Sequence, residues 1–250
     1  MRRIDWKNMI NLKDKTVIIT GSARRIGKEF ALASVLAGAD VILHQNNSTA
    51  EANATASQIR ELGGNVRIFQ ADFSTPESAI LEFNKFIKET TNVFALINNA
   101  AIFKPVKFKG TSITDWQIHM DVNLTMPFLL SQSFAKLMDG KKGRIINILD
   151  WRALRPGYDH FPYTISKSAL AALTKSTALA LAPSIQVNGI ALGAILPPSD
   201  GSENEGIIKK VPASRWATND ELIQTFLFLL QGPEYITGEI IHLDGGRHLV

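Results

Sequence analysis

The amino-acid sequence predicts an α/β protein in which helices cover both faces of one doubly wound parallel sheet. Short apolar runs rich in Val and Ile alternate with longer amphipathic segments along the chain. Strands that are apolar throughout suit a parallel sheet covered on both faces, and the alternation of strand and helix is typical of its crossover connections. Glycine or proline follows most of the amphipathic segments, as expected where helices end.

The predicted elements follow one another without an internal repeat or a domain linker. Seven strands are expected at residues 16–20, 41–44, 66–70, 94–97, 144–148, 187–190 and 239–243. Six helices are expected at residues 26–37, 50–62, 76–89, 114–138, 163–182 and 219–230. Because α/β folds of 250 residues commonly form one domain, residues 1–250 are assigned to a single domain, with its dinucleotide-binding part at roughly 14–150.

Composition excludes several classes of protein. The sequence has no cysteine, which excludes disulfides, zinc–thiolate sites and a cysteine nucleophile, and fits a reducing cytoplasm. The net charge of +4 comes from scattered Lys and Arg, so we expect no nucleic-acid partner. No apolar run reaches the roughly 20 residues that span a membrane, and the histidines lack metal-ligand spacing. The sequence therefore predicts a soluble, cytoplasmic protein without a metal.

A glycine-bearing turn follows the first strand, in the segment TGSARRIG. Gly21 and Gly27 would let the backbone approach a pyrophosphate, and the next helix N-terminus would supply N–H donors. Arg24 and Arg25 would face the adenosine end, where a guanidinium binds a 2′-phosphate through two hydrogen bonds. The second strand ends in LHQNNS, without the Asp or Glu that accepts from ribose hydroxyls in NAD sites. The turn therefore predicts NADPH; the alternative is a plain strand-to-helix connection.

One long irregular stretch is expected at residues 193–212, where the sequence is rich in Gly, Pro, Ser and acidic residues. A loop of this length inside a compact domain is usually functional or mobile. Because it follows the sixth strand, it would lie at the carboxyl ends of the strands, where ligands bind in such sheets. We interpret it as a substrate lid.

Four segments in order resemble the short-chain dehydrogenases/reductases: TGSARRIG, NNAA, the helical Asn123, and YTISK. The resemblance covers essentially the whole chain, to the final LDGGRHL, and implies a Rossmann-like fold. Within the family, the arginine in the turn, LHQNNSTAEANA, the aromatic in NNAAIF and the aspartate ahead of YTISK resemble pteridine reductases. QADFST and LDGGRHL resemble bacterial dihydromonapterin reductases.

The resemblance implies NADPH-dependent reduction of a dihydropterin or related pterin, commonly by a homotetramer. The helices predicted at 114–138 and 163–182 carry more apolar surface than one sheet face requires, which also favours an oligomer.

Four residues are the catalytic candidates. Tyr163 and Lys167 lie one helical turn apart, so the lysine ammonium is expected to lower the pKa of the phenol. The resemblance makes Tyr163 the proton donor, has Lys167 also hold the nicotinamide ribose, and places Asn123 on a water-mediated proton path to that lysine. Asp150 stands where most of the family has serine. A carboxylate cannot donate to a ketone, but it can accept from the N–H groups of a pterin.

The resemblance implies that Asp150 works with Tyr163 in proton delivery; the alternatives are a turn cap or an enzyme that has lost activity. Phe103 would stack the pterin against the nicotinamide, and Trp151 is a second expected pocket wall, although both are also compatible with core packing.

The remaining expectations concern the cofactor. By resemblance, Asp72 accepts from the adenine amino group, Asn99 holds the adenosine ribose, and His44 and Ser48 help to form the 2′-phosphate pocket. Asn47 stands where pteridine reductases often have arginine, which weakens the preference for NADPH without reversing it. The expected cofactor-binding residues are Gly21, Ser22, Arg24, Arg25, Ile26, Gly27, His44, Asn46, Asn47, Ser48, Asp72, Phe73, Asn99, Ala100, Tyr163 and Lys167.

Three functions remain open at this point. A pterin reductase is favoured by Asp150 together with Phe103. Another carbonyl or imine reductase of the same family is the second, because Leu192-Gly193 replaces the usual proline-glycine and Ala101 replaces a small polar residue. A protein that binds NADPH as a sensor without turnover is the third, and the presence of Asn123, Tyr163 and Lys167 together argues against it.

Overall fold

The computed structural model describes residues 10–196 and 205–250, and within them seven parallel strands form one sheet. The strands are β1 (Thr16–Ile19), β2 (Asp40–Gln45), β3 (Val66–Gln70), β4 (Val93–Asn98), β5 (Gly143–Asp150), β6 (Ile185–Leu192) and β7 (Ile240–Leu243). They lie side by side in the order β3-β2-β1-β4-β5-β6-β7. This is the doubly wound parallel sheet that the alternation of strands and helices predicts.

Helices connect the strands and cover both faces of the sheet. Their bounds are α1 (Arg25–Leu36), α2 (Thr49–Glu61), α3 (Pro76–Lys88), α4 (Ile113–Met120), α5 (Met126–Met138), α6 (Phe161–Leu181), α7 (Glu205–Ile208) and α8 (Asn219–Gln231). Helix α1 packs against α2 and α8 on one face, whereas α5 packs against α3 and α6 on the other.

The central strand β1 contributes to two separate cores. Val17 and Ile19 belong to the cluster beneath α1, α2 and α8, whereas Ile18 belongs to the cluster beneath α3, α5 and α6. Successive strand residues point to opposite faces, and both faces are covered, so every residue of β1 is buried. This is why the strand sequence is apolar without alternation. Strand β3 lies at the edge of the described sheet, where it pairs with β2, and its Arg67 and Gln70 side chains are exposed.

The helix predicted at 114–138 is interrupted. Helices α4 and α5 are separated by a π turn at Asp121–Thr125, in which the N–H of Met126 bonds to the carbonyl five residues back. The reason is Pro127, which has no N–H to make the α-helical bond to the carbonyl of Asn123. Single π turns occur frequently at functional sites, and this one carries Asn123.

The other predicted helices and all seven predicted strands are present, with bounds shifted by a few residues. The expectation of an irregular stretch over 193–212 is wrong in part, because α7 lies inside it. Ile207, Ile208 and Val211 have helical spacing, and Val211 is buried. Residues 197–204, on which the interpretation as a lid also depends, lie outside the described residues.

The sheet order places a crevice at the carboxyl ends of β1 and β4. From β1 the chain proceeds outward to β2 and β3, and it then crosses back to β4 and proceeds in the opposite direction. The connections that leave these two strands therefore diverge, which is where such sheets bind ligands. Among the residues that the structure describes, no helix is long and apolar enough to cross a membrane.

Candidate active site

The turn between β1 and α1 has room only for glycine at two positions. Gly21 has φ +60°, and an added Cβ would lie 2.8 Å from the Cα of Ala100. At Gly27 an added Cβ would lie 2.4 Å from the carbonyl oxygen of Gly21. Asn99 braces the turn from β4, since its Nδ2 donates to the carbonyls of Thr20 at 2.8 Å and Gly21 at 2.9 Å. Asn99 holds the turn from the side of β4, and the opposite side of the turn faces a groove.

His44 supports the turn from β2. Its Nδ1 accepts from the N–H of Gly21 at 3.0 Å, and its Nε2 lies 3.1 Å from the carbonyl oxygen of Ala71. The ring stacks on Phe73, with centroids 3.8 Å apart. Burial lowers the pKa of His44 to about 4, so the ring is neutral at physiological pH. Both ring nitrogens already have partners, and His44 presents no positive charge to a ligand.

A groove of about 520 Å³ lies over this turn and brings together most of the expected cofactor-binding residues. The expected residues that line it are Gly21, Arg24, Arg25, Ile26, Gly27, His44, Asn46, Asn47, Ser48, Asp72, Phe73, Asn99 and Ala100. Tyr163 and Lys167 do not line it, and neither does Ser22. Its side chain is buried beneath the turn, where Oγ donates to the carbonyl of Ile19 and accepts from the N–H of His44.

Arg24 and Arg25 lie at the start of α1, and both side chains line the groove. Arg24 is largely exposed, and its guanidinium lies 3.9 Å from the carboxylate of Glu51. Arg25 has φ +53°, a left-handed conformation that costs a non-glycine residue roughly 1–2 kcal/mol. Arg25 lies between two grooves, since it lines both this one and the neighbouring one that contains Asp150.

Tyr163 and Asp150 form a hydrogen-bonded pair at the carboxyl end of β5. The phenolic hydroxyl of Tyr163, in the first turn of α6, donates to Oδ2 of Asp150 over 3.3 Å. Burial raises the pKa of Tyr163 well above its usual value, and the charge of Asp150 raises it further. Burial also raises the pKa of Asp150, although Arg152 opposes that shift. Tyr163 is therefore a protonated donor at neutral pH.

Lys167 does not lower the pKa of Tyr163, contrary to the expectation from their spacing. Its Nζ donates to the carbonyl of Ile148 at 2.6 Å and lies 5.9 Å from the centroid of the phenol ring. Burial lowers the pKa of Lys167 itself to about 8, so the ammonium remains largely charged at pH 7, but its hydrogen bond goes to the carbonyl of Ile148. Helical spacing places the two residues on one face, but the rotamer of Lys167 directs its ammonium to the backbone of β5.

Asn123 ties the π turn to two other elements. Its Oδ1 accepts from the N–H of Ile102 at 2.9 Å, and its Nδ2 donates to the carbonyl of the same residue at 3.1 Å. The same Nδ2 lies 3.0 Å from Oγ of Ser166, which in turn donates to the carbonyl of Tyr163. The side chain thus holds the loop after β4 against α6. Its part in a water-mediated proton path stays a prediction.

Arg152, which the sequence analysis does not single out, bridges two carboxylates in the site. Its guanidinium lies 3.4 Å from Oδ1 of Asp150 and 3.1 Å from Oδ2 of Asp159. The N–H of Arg152 also donates to Oδ1 of Asp150 at 2.9 Å. Asp150 is therefore a turn cap as well as the partner of Tyr163. A basic residue two positions after the catalytic candidate is the only signal that the sequence offers for this contact.

Phe103 and Trp151, the two expected substrate-binding aromatics, both line a second groove of about 1010 Å³ beside Asp150. The ring of Phe103 stacks on His160 with centroids 3.9 Å apart, and it meets the Tyr163 ring edge at 4.7 Å. Phe103 is nevertheless 53% exposed, so it is not a core residue. The Trp151 ring lies 4.6 Å from the guanidinium of Arg152.

Parts of the stretch expected as a lid line this second groove as well. Gly193, Ala194 and Leu196 follow β6, and Gly206, Ile207, Lys210 and Val211 belong to α7 and the turn after it.

Comparison with known proteins places the chain in a family. Residues 15–207 match the model described as short chain dehydrogenase, and the chain therefore belongs to that family. It is 35% identical over 245 residues to the 2-dehydro-3-deoxy-D-gluconate 5-dehydrogenase of Bacillus subtilis (strain 168), a match that covers 94% of this chain and 95% of the relative. It is 32% identical to a 3-oxoacyl-[acyl-carrier-protein] reductase of Synechocystis, covering 95% of this chain and 98% of the relative.

Among solved structures, the FolM alternative dihydrofolate reductase 1 of Brucella canis, complexed with NADP, is 34% identical to this chain. Its TM-score is 0.84, and the match covers 96% of this chain and 97% of the Brucella chain.

Proposed function

We propose that the protein is an NADPH-dependent reductase that transfers a hydride to a C=N bond of a dihydropterin. The observation that carries this proposal is the 3.3 Å hydrogen bond from Tyr163 to Asp150, beside a groove that exposes the ring of Phe103. A protonated tyrosine is a proton donor, a carboxylate accepts from ring N–H groups, and an exposed aromatic ring stacks on a flat heterocycle.

The residues at the β1–α1 turn fit NADPH. Gly21 and Gly27 leave no room for a Cβ, which keeps the backbone open to a pyrophosphate at the N-terminus of α1. Arg24 and Ser48 line the same groove and would bind the 2′-phosphate. His44 would contribute by holding Gly21 in place, since its own ring is neutral. Bound NADPH supplies the hydride; the Brucella structure, which carries NADP, supports this assignment.

The remaining cofactor contacts are proposed for residues at the carboxyl ends of the strands. Asp72 and Phe73 follow β3 and would receive the adenine. Asn99, which braces the turn, would lie against the adenosine ribose. Lys167 is buried near the end of β5 and would hold the nicotinamide ribose, with Asn123 on the proton path behind it.

Reduction of a C=N bond takes one hydride and one proton. Tyr163 holds that proton, because burial and the charge of Asp150 both favour the neutral phenol. Asp150 has its second oxygen bonded to Arg152, which orients the carboxylate toward Tyr163 and the groove. In this scheme Tyr163 donates its proton to the substrate nitrogen, and Asp150 accepts a hydrogen bond from a neighbouring N–H of the ring. A proton from solvent in the open groove then replaces the one that Tyr163 has donated.

A second candidate is a carbonyl reductase of the same family. The relatives named above include a sugar-acid dehydrogenase and an oxoacyl reductase, both at identities similar to that of the Brucella protein. Asp150 disfavours this candidate, because two acceptor oxygens facing each other repel. A sensor that binds NADPH without turnover is also disfavoured, because the Tyr163–Asp150 pair keeps a transferable proton.

We further propose that residues 1–250 act as a single domain and that the protein is a cytoplasmic homotetramer. The exposed apolar side chains of Phe128 and Leu179, on α5 and α6, support an association through these helices.

The experiment is NADPH oxidation, followed by absorbance, with a panel of 7,8-dihydropterins and simple ketones. We expect dihydropterin turnover by the wild type, a loss of about 10²- to 10⁴-fold in kcat for Tyr163→Phe, and a comparable loss for Asp150→Ser. Tyr235→Phe changes a fully exposed tyrosine and serves as the matched control. Turnover of ketones but not of dihydropterins would favour the carbonyl reductase. NADPH binding without turnover of any substrate would favour the sensor.

A further inference from the structure

Among the described residues that line the groove beside Asp150, positively charged side chains outnumber negatively charged ones. Of these lining side chains, five are cationic and two are acidic. Both acidic side chains, Asp150 and Asp159, already pair with Arg152. Among the described residues, no Asp or Glu side chain forms an ion pair with Arg155, Lys210 or Arg247, although Arg247 also donates to the main-chain oxygen of Val250 at 3.5 Å. These three cations are therefore not neutralised by the carboxylates of the groove.

The three cations come from separate parts of the chain that the fold brings together. Arg155 follows Asp150 in the loop after β5, Lys210 follows α7, and Arg247 lies near the end of the chain. Arg247 donates to the carbonyl of Lys210 at 3.0 Å, and its guanidinium lies 4.7 Å from the ring of Trp151. This contact links the segment after α7 to the residue next to Asp150. The three charges thus line the same groove as Asp150 and Phe103.

A bound anion would lower the electrostatic free energy of these neighbouring cations. Arg155 and Lys210 are exposed, so water screens their mutual repulsion in part, and a bound anion would remove what remains of it. A neutral substituent would displace water from Arg155 and Lys210 without replacing its hydrogen bonds, which is unfavourable. A carboxylate or phosphate would replace them with charge-assisted hydrogen bonds, for which a guanidinium has the matching planar geometry.

We propose that this groove binds an anionic substituent of the substrate, a carboxylate or a phosphate ester, through Arg155 and Lys210, with Arg247 holding Lys210 in place. The inference rests on the proposed function only in taking a pterin as the ring that carries the substituent. It deepens that function by making the preferred substrates dihydropterins with an acidic side chain.

The kinetic test compares three substrates with the same ring. These are 7,8-dihydrofolate, which carries carboxylates, 7,8-dihydroneopterin monophosphate, and the neutral 7,8-dihydrobiopterin. We expect a lower KM for at least one anionic substrate than for the neutral one, and a loss of about tenfold or more of that advantage in Arg155→Gln/Lys210→Gln. An advantage for one anion alone identifies it as carboxylate or phosphate. Equal KM values for all three in the wild type would overturn the proposal.

The charge control is Lys85→Gln/Lys88→Gln, which removes the same net charge from the exposed face of α3. It should retain the advantage of the anionic substrates. If it loses that advantage as fully as the groove variant does, general attraction by net charge is the cause and the inference is overturned.

A binding measurement keeps the inference separate from the proposed reaction. Trp151 and Trp216 both line the groove, so their fluorescence should respond to a ligand there. We expect p-aminobenzoyl-L-glutamate, which has carboxylates and no pterin, to quench the NADP-saturated wild type and to bind about tenfold more weakly to the groove variant. Such binding without pterin turnover would contradict the proposed function alone. Equal binding to wild type and groove variant would contradict the anion site.

Discussion

Tyr163 donates a 3.3 Å hydrogen bond to one oxygen of Asp150, whose other oxygen lies 3.4 Å from the guanidinium of Arg152. The pair joins the last residue of β5 to the first turn of α6. Burial raises the pKa of both groups, so the proton stays on Tyr163 at neutral pH while Arg152 favours the ionised form of Asp150. A proton donor and an N–H acceptor are thus held next to each other on rigid elements.

Replacing Arg152 should change how activity depends on pH. In the proposed reaction Asp150 acts as the carboxylate, which is lost as the pH falls through its pKa. Arg152 lowers that pKa, so Arg152→Gln should raise it and move the acid limb of kcat/KM toward neutral pH. We expect the loss of kcat/KM in this variant to grow as the pH falls and to be small at alkaline pH. Steady-state rates from pH 5 to 9 with a neutral dihydropterin measure this.

Arg152→Lys is the companion variant, because it keeps the positive charge. It should return most of the acid limb to its original position. A loss of activity in Arg152→Gln that is the same at every pH would mean that Arg152 only supports the loop, and the positioning role would be wrong.

Gly27→Ala should weaken cofactor binding at a modest cost in stability. The new Cβ would lie 2.4 Å from the carbonyl oxygen of Gly21 and 2.6 Å from Nδ2 of Asn99, so the turn must shift. We expect NADPH affinity to fall by at least tenfold and the free energy of unfolding to fall by about 1–3 kcal/mol. Titration by NADPH fluorescence and urea unfolding measure the two effects. Gly110→Ala, where an added Cβ meets nothing within 4 Å, should change neither.

His44 should make the protein less stable in acid. Its pKa is about 4 in the folded protein and 6.5 unfolded, so between these values the unfolded chain binds more protons. Stability is therefore lost as the pH falls from 6.5 toward 4, by about 2 kcal/mol between pH 7 and pH 5. Urea unfolding of wild type and His44→Asn at the two pH values isolates this contribution. An identical pH dependence in both proteins would show that His44 does not titrate in this window.

Arg24 should distinguish NADPH from NADH. A guanidinium bonded to the 2′-phosphate contributes only when that phosphate is present, so Arg24→Ala should raise KM for NADPH by about tenfold and leave KM for NADH unchanged. Steady-state kinetics with both cofactors measure the ratio. Arg60→Ala, on the exposed face of α2, is the control. Equal increases for both cofactors would place Arg24 at another part of the dinucleotide.

Much of the fold follows from local patterns. Apolar runs such as TVII in β1 and glycines after the helices determine the strands and their order along the chain, because a parallel sheet buries both faces and helices need a stop. The break at the π turn was not predicted, although Pro127 lies in the middle of the helix predicted at 114–138 and an interior proline indicates a kink or a break. Helix α7 was missed because its neighbours have the composition of a loop.

The candidate site was predictable where one residue type is required at one position. Gly21 and Gly27 are of this kind, and the structure brings them to the same edge of the sheet as Asp150 and Tyr163. The pairing of Arg152 with Asp159 was not predictable, because it depends on how the loop after β5 folds back. Ser22 faces the interior, and its type alone does not distinguish that from contact with a ligand.

The sequence by itself determined the alternation of strands and helices, the glycine turn and the choice of candidate reacting groups, because these depend on residue type and spacing over a few positions. The tertiary structure alone decided the protonation of Tyr163, the direction of Lys167 and the meeting of Arg155, Lys210 and Arg247. Protonation depends on burial and on charges brought from distant segments, which no local pattern encodes. The direction of a side chain depends on which of its rotamers the surrounding packing leaves open.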